Sequence, residues 1–157
     1  MLSGMNHPKT SRGRKTIALL SDFGLKDHYV SAMKGVILNI SPDVNLVDIT
    51  HEVSPWNVIQ GAFLLRATFR YFPRGTVFVC VVDPGVGTER KALAIKTKNY
   101  FFVGPDNGLM YPSVVEDGLE LAVEITNRKY TLERSGTFDG RDVFAPAAAH
   151  ILSLIHI

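Results

Sequence analysis

The stretch 76–90 constrains the fold more than any other part of the chain. Its first seven residues, Thr-Val-Phe-Val-Cys-Val-Val, are β-branched or apolar and do not alternate with polar residues. Such a run predicts a strand that is covered on both faces of a sheet. The strand ends before Pro84, because proline has no N–H to donate to a neighbouring strand. A carboxylate, Asp83, is therefore expected at the carboxyl end of a central strand, with Arg90 further along the same loop.

Two interpretations of Asp83 are open at this point. Ligands of open α/β sheets bind at the carboxyl ends of the strands, which makes Asp83 a candidate functional residue. An aspartate that follows a strand also caps turns with its side chain, and that role is purely structural. The stretch alone favours neither interpretation.

Strands and helices alternate along the rest of the chain. This order predicts an α/β layered domain with a mostly parallel central sheet flanked by helices. A length of 157 residues fits one domain. Strands are predicted at 16–20, 44–49, 76–82, 92–96, 100–103 and 121–125, and helices at 28–40, at about 54–69 and from 144 onward.

Capping residues predict where the helices begin. Asp27 is expected to cap the first helix. Ser54 is expected to cap the second, with Pro55 at its first helical position. Pro146 fits the first turn of the last helix.

Composition and charge limit the classes of partner. Net charge is only +2, and the basic residues of segment 1–15 predict a disordered basic leader that lacks the apolar core of a signal peptide. A basic nucleic-acid arm is the alternative for this leader, but the body has no basic stripe, so no nucleic-acid partner is expected. Segment 144–157 is too short to span a membrane. One cysteine, Cys80, fits a reducing compartment, so we expect a cytoplasmic protein.

Polar loops follow several predicted strands. Asp22 follows the first, Asp83 the third, and Asp106-Asn107 a later one. If these strands are parallel, their loops meet at one edge of the sheet, where carboxylates bind ribose hydroxyls. His51 also follows a strand, but a satisfied structural histidine is the favoured interpretation.

Aromatic residues near these loops are candidates for stacking on a flat ligand, namely Phe23, Trp56 and Phe138. For Trp56 a purely structural role, as a hydrophobic residue that packs against the start of a helix, is an equally good interpretation. The chain has no dinucleotide-binding glycine pattern and no phosphate-binding loop. Its histidines and single cysteine lack zinc-ligand spacing, so no metal site is predicted.

Seven short motifs occur in the order found in one known family. Together they resemble the S-adenosylmethionine hydroxide adenosyltransferase family, the adenosine-forming S-adenosylmethionine hydrolases, which are related to the fluorinase and chlorinase. The resemblance covers residues 16 to about 150. The motifs are Ser-Asp-Phe-Gly at 21–24, Asp-Ile-Thr-His at 48–51, Pro-Trp at 55–56, Gly-Thr-Val at 75–77, Asp-Pro-Gly-Val-Gly-Thr-Glu-Arg at 83–90, Pro-Asp-Asn-Gly at 105–108 and Thr-Phe-Asp-Gly-Arg-Asp at 137–142.

The resemblance implies a domain organisation and an assembly. Residues 16–150 correspond to the family's α/β amino-terminal domain, which a smaller β-barrel domain follows. Residues 151–157 do not resemble the family's continuation, so we expect that the barrel is missing through a truncated reading frame. The family resemblance also implies a homotrimer of the full-length protein, with sites between subunits.

The resemblance implies attack of water or hydroxide on the ribose C5′ of S-adenosylmethionine, with no cofactor. Asp83, Arg90 and position 139 would activate the water. Asp22 would hold the ribose, and Phe23, Trp56, Asn107 and Phe138 would complete the substrate site. Because these residues reach only the ribose side, weak binding by this chain is expected.

Position 139 departs from the family that the chain resembles. The hydrolases of that family have the motif Thr-Phe-His-Gly-Arg-Asp, whereas this chain has Asp139 in place of the histidine. Two carboxylates near one water repel each other unless a cation neutralises them. Either Arg90 or Arg141 supplies that cation and Asp139 acts as a base, or one carboxylate stays protonated and the water is poorly activated. Reduced but nonzero hydrolysis is expected.

Two alternative functions are open. The first is a C5′ halogenase. However, the halogenating members of the family that the chain resembles have a tyrosine at the position of Asp83 and a threonine at the position of Val86. A carboxylate at position 83 would repel halide. The second is a nucleoside-binding module without turnover, which Asp139 and the missing domain favour.

Overall fold

A six-stranded sheet carries the fold of residues 14–154, the part of the chain that the structure, a computed structural model, describes. All six predicted strands are present, with ends shifted by one or two residues. The strands are β1 (Thr16–Ser21), β2 (Asn45–Thr50), β3 (Val77–Val81), β4 (Ala92–Thr97), β5 (Phe101–Pro105) and β6 (Leu119–Glu124).

The order of the strands is β2-β1-β3-β5-β4-β6. Strands β2, β1, β3 and β5 are parallel to one another, and β4 is antiparallel to both β5 and β6. The prediction of a mostly parallel α/β sheet is therefore confirmed. The parallel group also brings the carboxyl ends of β1, β3 and β5 to one edge.

Helices cover both faces of the sheet. Helices α1 and α4 pack together on one face, and α2 and α3 pack together on the other. The helices are α1 (Tyr29–Ile40), α2 (Val58–Thr68), α3 (Tyr111–Asp117) and α4 (Ala145–Leu154), and a five-residue π-helical turn, Gly140–Phe144, leads into α4.

Strand β3 is buried throughout, as the apolar run predicts. Val79 belongs to the core cluster under α1 and α4, whereas Phe78 and Cys80 belong to the cluster under α2 and α3. Successive side chains of a strand point to opposite faces. A strand covered on both sides therefore needs apolar residues at every position, which explains the lack of alternation.

The first and last helices begin within one residue of their predicted starts, but the predicted caps of α1 and α2 and the predicted start of α2 are wrong. Helix α1 begins after His28, which makes no side-chain cap, and Asp27 does not cap it. Helix α2 begins at Val58, and Asn57 accepts a hydrogen bond from the Gln60 N–H as its cap. The start predicted at 54–55 fails because Trp56 has a φ of 62°, which is incompatible with a right-handed helix.

Helix α3 and the π-helical turn were missed by the sequence analysis. Seven residues are too few to show a helical period, although the Pro112 near the start of α3 and the Gly118 after it were available signals. No helix among residues 14–154 has the length and hydropathy that crossing a membrane requires. The predicted leader lies outside the described residues except for its last two. The last three residues of the chain also lie outside them.

Replacing Gly104 in β5 by alanine should destabilise the domain by about 2 kcal/mol, a typical cost of overpacking. A Cβ there would lie 2.5 Å from the Cys80 carbonyl oxygen of β3, and a strand backbone cannot move aside. Urea unfolding measures the loss. As a control, Gly35→Ala in α1 meets nothing within 4 Å and should gain about 1 kcal/mol from helix propensity. Equal effects of the two substitutions would contradict the packing described for β3 and β5.

Candidate active site

A pocket of about 380 Å³ lies at the carboxyl ends of β1 and β3, within the size range of small-molecule sites. Asp22 enters it from the loop after β1, and Asp83 from the loop after β3. The structure brings all the predicted site residues to its wall except Arg90 and Asn107. Those on the wall are Asp22, Phe23, Trp56, Asp83, Phe138 and Asp139.

Arg90 lies behind the pocket wall and binds both carboxylates. Its Nε donates to Asp83 Oδ1 at 2.8 Å, and its Nη2 donates to Asp83 Oδ2 and, at 2.7 Å, to Asp139 Oδ2. The Asp83 and Asp139 side chains are only 5% and 0% exposed. Asp83 and Arg90, which the sequence places on one loop, are therefore in direct contact, and the contact extends to Asp139.

Arg90 stays positively charged in this position. Burial lowers the pKa of Arg90, but its hydrogen bonds and charge attraction to Asp83 and Asp139 outweigh burial, so the pKa lies above its ordinary value. The guanidinium also lies 5.3 Å from the centre of the Phe144 ring. Its Nη1 is buried and has no hydrogen-bond acceptor within the described part of the chain.

Arg134 is a residue of this group that the sequence analysis missed. Its Nε donates to Asp139 Oδ1 at 3.1 Å and its Nη2 to Asp139 Oδ2. Arg141, the alternative counter-ion proposed from the sequence, instead binds Asp142 at 2.7 Å. Arg134 precedes the motif at 137–142, and nothing in the sequence around it distinguishes it from any other loop arginine. We refer to Asp83, Arg90, Arg134 and Asp139 together as the ion-pair cluster.

Trp56 stands at the mouth of the pocket in a strained conformation. Its φ of 62° lies in the left-handed region, which disfavours residues with a side chain. The Trp56 N–H donates to Asp22 Oδ2 at 2.7 Å, and the side chain is exposed. Strain of this kind is often found where a fixed geometry serves binding.

An aromatic wall forms the other side of the pocket. Phe138 makes edge-to-face contacts with Phe23 and Tyr29, with ring centres 5.5 and 5.1 Å apart. Tyr29, at the start of α1, lines the pocket as well. The pocket therefore presents carboxylates at its base and flat apolar surfaces at its side.

His51 and Asn107 have structural partners. His51 is buried, with Nδ1 2.6 Å from Ser21 Oγ and Nε2 2.7 Å from Asp48 Oδ1, as the structural interpretation predicts. Asn107 donates to the Val82 carbonyl at 2.8 Å and lines a separate groove against α2. Its side chain therefore does not reach the pocket. Among residues 14–154 there is no group of three His, Cys, Asp or Glu side chains arranged to hold a metal ion.

Known proteins share this sequence and fold. The family described as SAM hydroxide adenosyltransferase N-terminal domain matches residues 17–157. An (R)-S-adenosyl-L-methionine hydrolase from Methanocaldococcus jannaschii is 45% identical over 141 residues, which cover 87% of this chain and 52% of the relative. A fluorinase from an Actinoplanes species is 32% identical, covering 90% of this chain and 55% of the relative.

A solved structure agrees with the sequence comparisons. The crystal structure of a conserved protein from Thermotoga maritima has a TM-score of 0.84 and 48% identity, covering 86% of this chain and 53% of that one. The chain thus spans about half the length of the relatives that it matches.

Trp56→Gly should be more stable than Trp56→Ala by about 1 kcal/mol, since glycine avoids the cost of a left-handed residue. Both variants keep the backbone donor to Asp22, and the exposed side chain loses little burial. Phe63, which is 69% exposed within α2, is a matched control at which glycine should be the less stable by a similar amount. Urea unfolding of the four variants measures both differences, and the same order at both sites would contradict the strain at Trp56.

Asp142→Asn should cost about 2 kcal/mol at pH 7, because the buried carboxylate accepts hydrogen bonds from Arg141 and from the Ser135 N–H and Oγ. Burial raises the pKa of Asp142, but these partners bring it below its ordinary value. The stability from this group is present above the unfolded-state pKa and lost as pH falls through the folded one. Urea unfolding should therefore show the difference narrowing from pH 5 to pH 2, and a constant difference would contradict this role.

Proposed function

Because this chain belongs to the S-adenosylmethionine hydroxide adenosyltransferase family, we propose that its pocket hydrolyses S-adenosylmethionine to adenosine and methionine. The observation that carries the proposal is the pair of carboxylates, Asp83 and Asp139, held by Arg90 at the base of a pocket with an aromatic wall. The relatives named (R)-S-adenosyl-L-methionine hydrolase are 38–45% identical to this chain and support it.

The proposed reaction is a displacement at the ribose C5′. A water oxygen forms a bond to C5′ while the bond from C5′ to sulfur breaks, and the electron pair of that bond stays on sulfur. The cationic sulfonium thereby becomes the neutral thioether of methionine, so the leaving group needs no acid. The water releases one proton, which Asp83 accepts and passes to solvent. The proposal includes no cofactor, because orientation of water and proton acceptance suffice.

Each pocket residue has a role in this proposal. Asp83 accepts a hydrogen bond from the attacking water, and Arg90 fixes the direction of the carboxylate through two hydrogen bonds. Asp22 binds the ribose hydroxyls with the oxygen that Trp56 does not occupy. Trp56 and Phe138 flank the nucleoside, with Phe23 behind them.

A halogenase function is the weaker alternative. The fluorinases matched are 31–32% identical to this chain, below the hydrolases at 38–45%. A halide at the pocket base would face Asp83 and Asp139, and like charges repel. A nucleoside-binding module without turnover is the other alternative, and it predicts no product.

We place the working enzyme in the cytoplasm as a homotrimer. An exposed apolar surface, formed by Ile59, Phe63, Tyr111 and Val115 on α2 and α3, supports an assembly. Apolar surfaces of this kind often mark contacts between proteins. Residues beyond the family's amino-terminal half would complete the methionine and adenine contacts.

Incubating the chain with S-adenosylmethionine should yield adenosine, which chromatography detects. Asp83→Asn should lower the rate by at least about 100-fold, the usual contribution of a positioned proton acceptor. Asp106→Asn is the matched control, because Asp106 is an exposed carboxylate on the same edge of the sheet and lies outside the pocket. Adenosine release that survives in Asp83→Asn, or a 5′-chloro product when chloride is added, would contradict the hydrolase proposal.

A further inference from the structure

Arg134 occupies an unusual position for a loop arginine. Its side chain is 48% exposed, yet its guanidinium binds both oxygens of Asp139, whose side chain is 0% exposed. Surface arginines usually pair with carboxylates that water also solvates, and such pairs contribute little to the stability of the fold. Here the carboxylate is fully withdrawn from water, so its charge must be balanced by the protein.

The ion-pair cluster is balanced only when Arg134 is included. Arg90 Nη2 donates to one oxygen of Asp83 and one of Asp139, which brings the two carboxylates onto the same nitrogen. Arg90 alone would leave two buried negative charges with one positive charge. Arg134 supplies the second positive charge, so that two carboxylates face two guanidiniums.

The segment carrying Arg134 is anchored on both sides. The Leu132 N–H donates to the Asp142 carbonyl at 2.8 Å, and the Ser135 N–H donates to the Asp142 carboxylate at 2.8 Å. Asp142 lies on the π-helical turn, and Asp139 immediately precedes that turn. The turn therefore fixes both members of the pair between Arg134 and Asp139.

We propose that Arg134 is a positioning residue that keeps Asp83 and Asp139 ionised together at the pocket base. With both charges present, the base attracts a cationic centre such as a sulfonium, and Asp83 remains able to accept a proton. Without Arg134, one guanidinium faces two buried carboxylates, and like charges at close range favour uptake of a proton by one of them. The consequence for catalysis rests on the proposed function, whereas the charge balance does not.

Other titratable groups around the cluster are accounted for. Asp22 and Tyr29 line the same pocket, on the side of β1 and α1. Arg141 and Asp142, on the π-helical turn, bind each other at 2.7 Å. None of these four groups is seen to bind Asp83 or Asp139, so removing Arg134 leaves Arg90 as the counter-ion of both carboxylates among the described residues.

The test compares thermal unfolding of four variants with the parent 157-residue chain at pH 5.5 and pH 8. Arg134→Gln removes the charge, Arg134→Lys keeps it, and Arg134→Gln/Asp139→Asn removes both charges of the pair. Arg70→Gln is the matched control, because Arg70 is 53% exposed and pairs with the partly exposed Glu116.

Arg134→Gln should lower the midpoint of unfolding by at least about 4 °C more at pH 8 than at pH 5.5. The sign follows because a carboxyl that binds its proton more tightly in the folded state loses stability as pH rises. Arg134→Lys should recover most of the loss. The double variant should show no dependence on pH beyond that of the parent, as should Arg70→Gln.

An equal loss at both pH values for Arg134→Gln, or a double variant that keeps the pH dependence, would overturn the proposal. If Arg134→Gln does not fold, folding of the double variant supports the proposal and its failure to fold contradicts it. Adenosine release supplies a second readout, in which Arg134→Gln should show a rate that rises from pH 5.5 to pH 8 more steeply than the parent. A parent that releases no adenosine refutes the proposed function, but the unfolding result still decides the role of Arg134.

Discussion

The bridge that Arg90 makes between Asp83 and Asp139 joins the two halves of the domain's functional edge. One carboxylate follows β3 in the middle of the sheet, and the other precedes α4, far along the chain. Burying either carboxylate without a partner would cost several kcal/mol. Because the Arg90 guanidinium binds both carboxylates and Arg134 supplies the second positive charge, the π-helical turn and the loop after β3 can lie against each other and form the base of a pocket.

The rest of the structure places this bridge. Strand β3 is buried on both faces and holds the loop that carries Asp83 in place. The parallel pairing of β1 with β3 brings Asp22 to the same edge of the sheet. The left-handed backbone conformation of Trp56 accompanies the hydrogen bond from its N–H to Asp22, and α2 begins only after this residue. One edge of the sheet thus collects two acidic loops, a strained turn and an aromatic wall, although their residues are distant in sequence.

Local patterns predicted the sheet and much of the pocket wall. The unbroken apolar run of β3 is typical of a strand covered on both faces, and the position of Asp83 followed from where that run ends. What the sequence did not show depends on geometry between distant residues. Arg134 was missed because a guanidinium pairs across space without any spacing rule. Asn107 lies outside the pocket because its amide donates to a strand carbonyl, a contact that no local pattern predicts. Helix α2 begins later than predicted because the positive φ of Trp56 is incompatible with a helix, although Ser54 and Pro55 form a favourable helix-start pattern.

We propose that water attacks the ribose C5′ of S-adenosylmethionine in the pocket whose base is Asp83. This attack can be followed by running the reaction in water enriched in oxygen-18 and analysing both products by mass spectrometry. The label should enter the 5′ oxygen of adenosine, and methionine should carry none. Unlabelled adenosine, or a label found in methionine, would contradict attack by water at C5′.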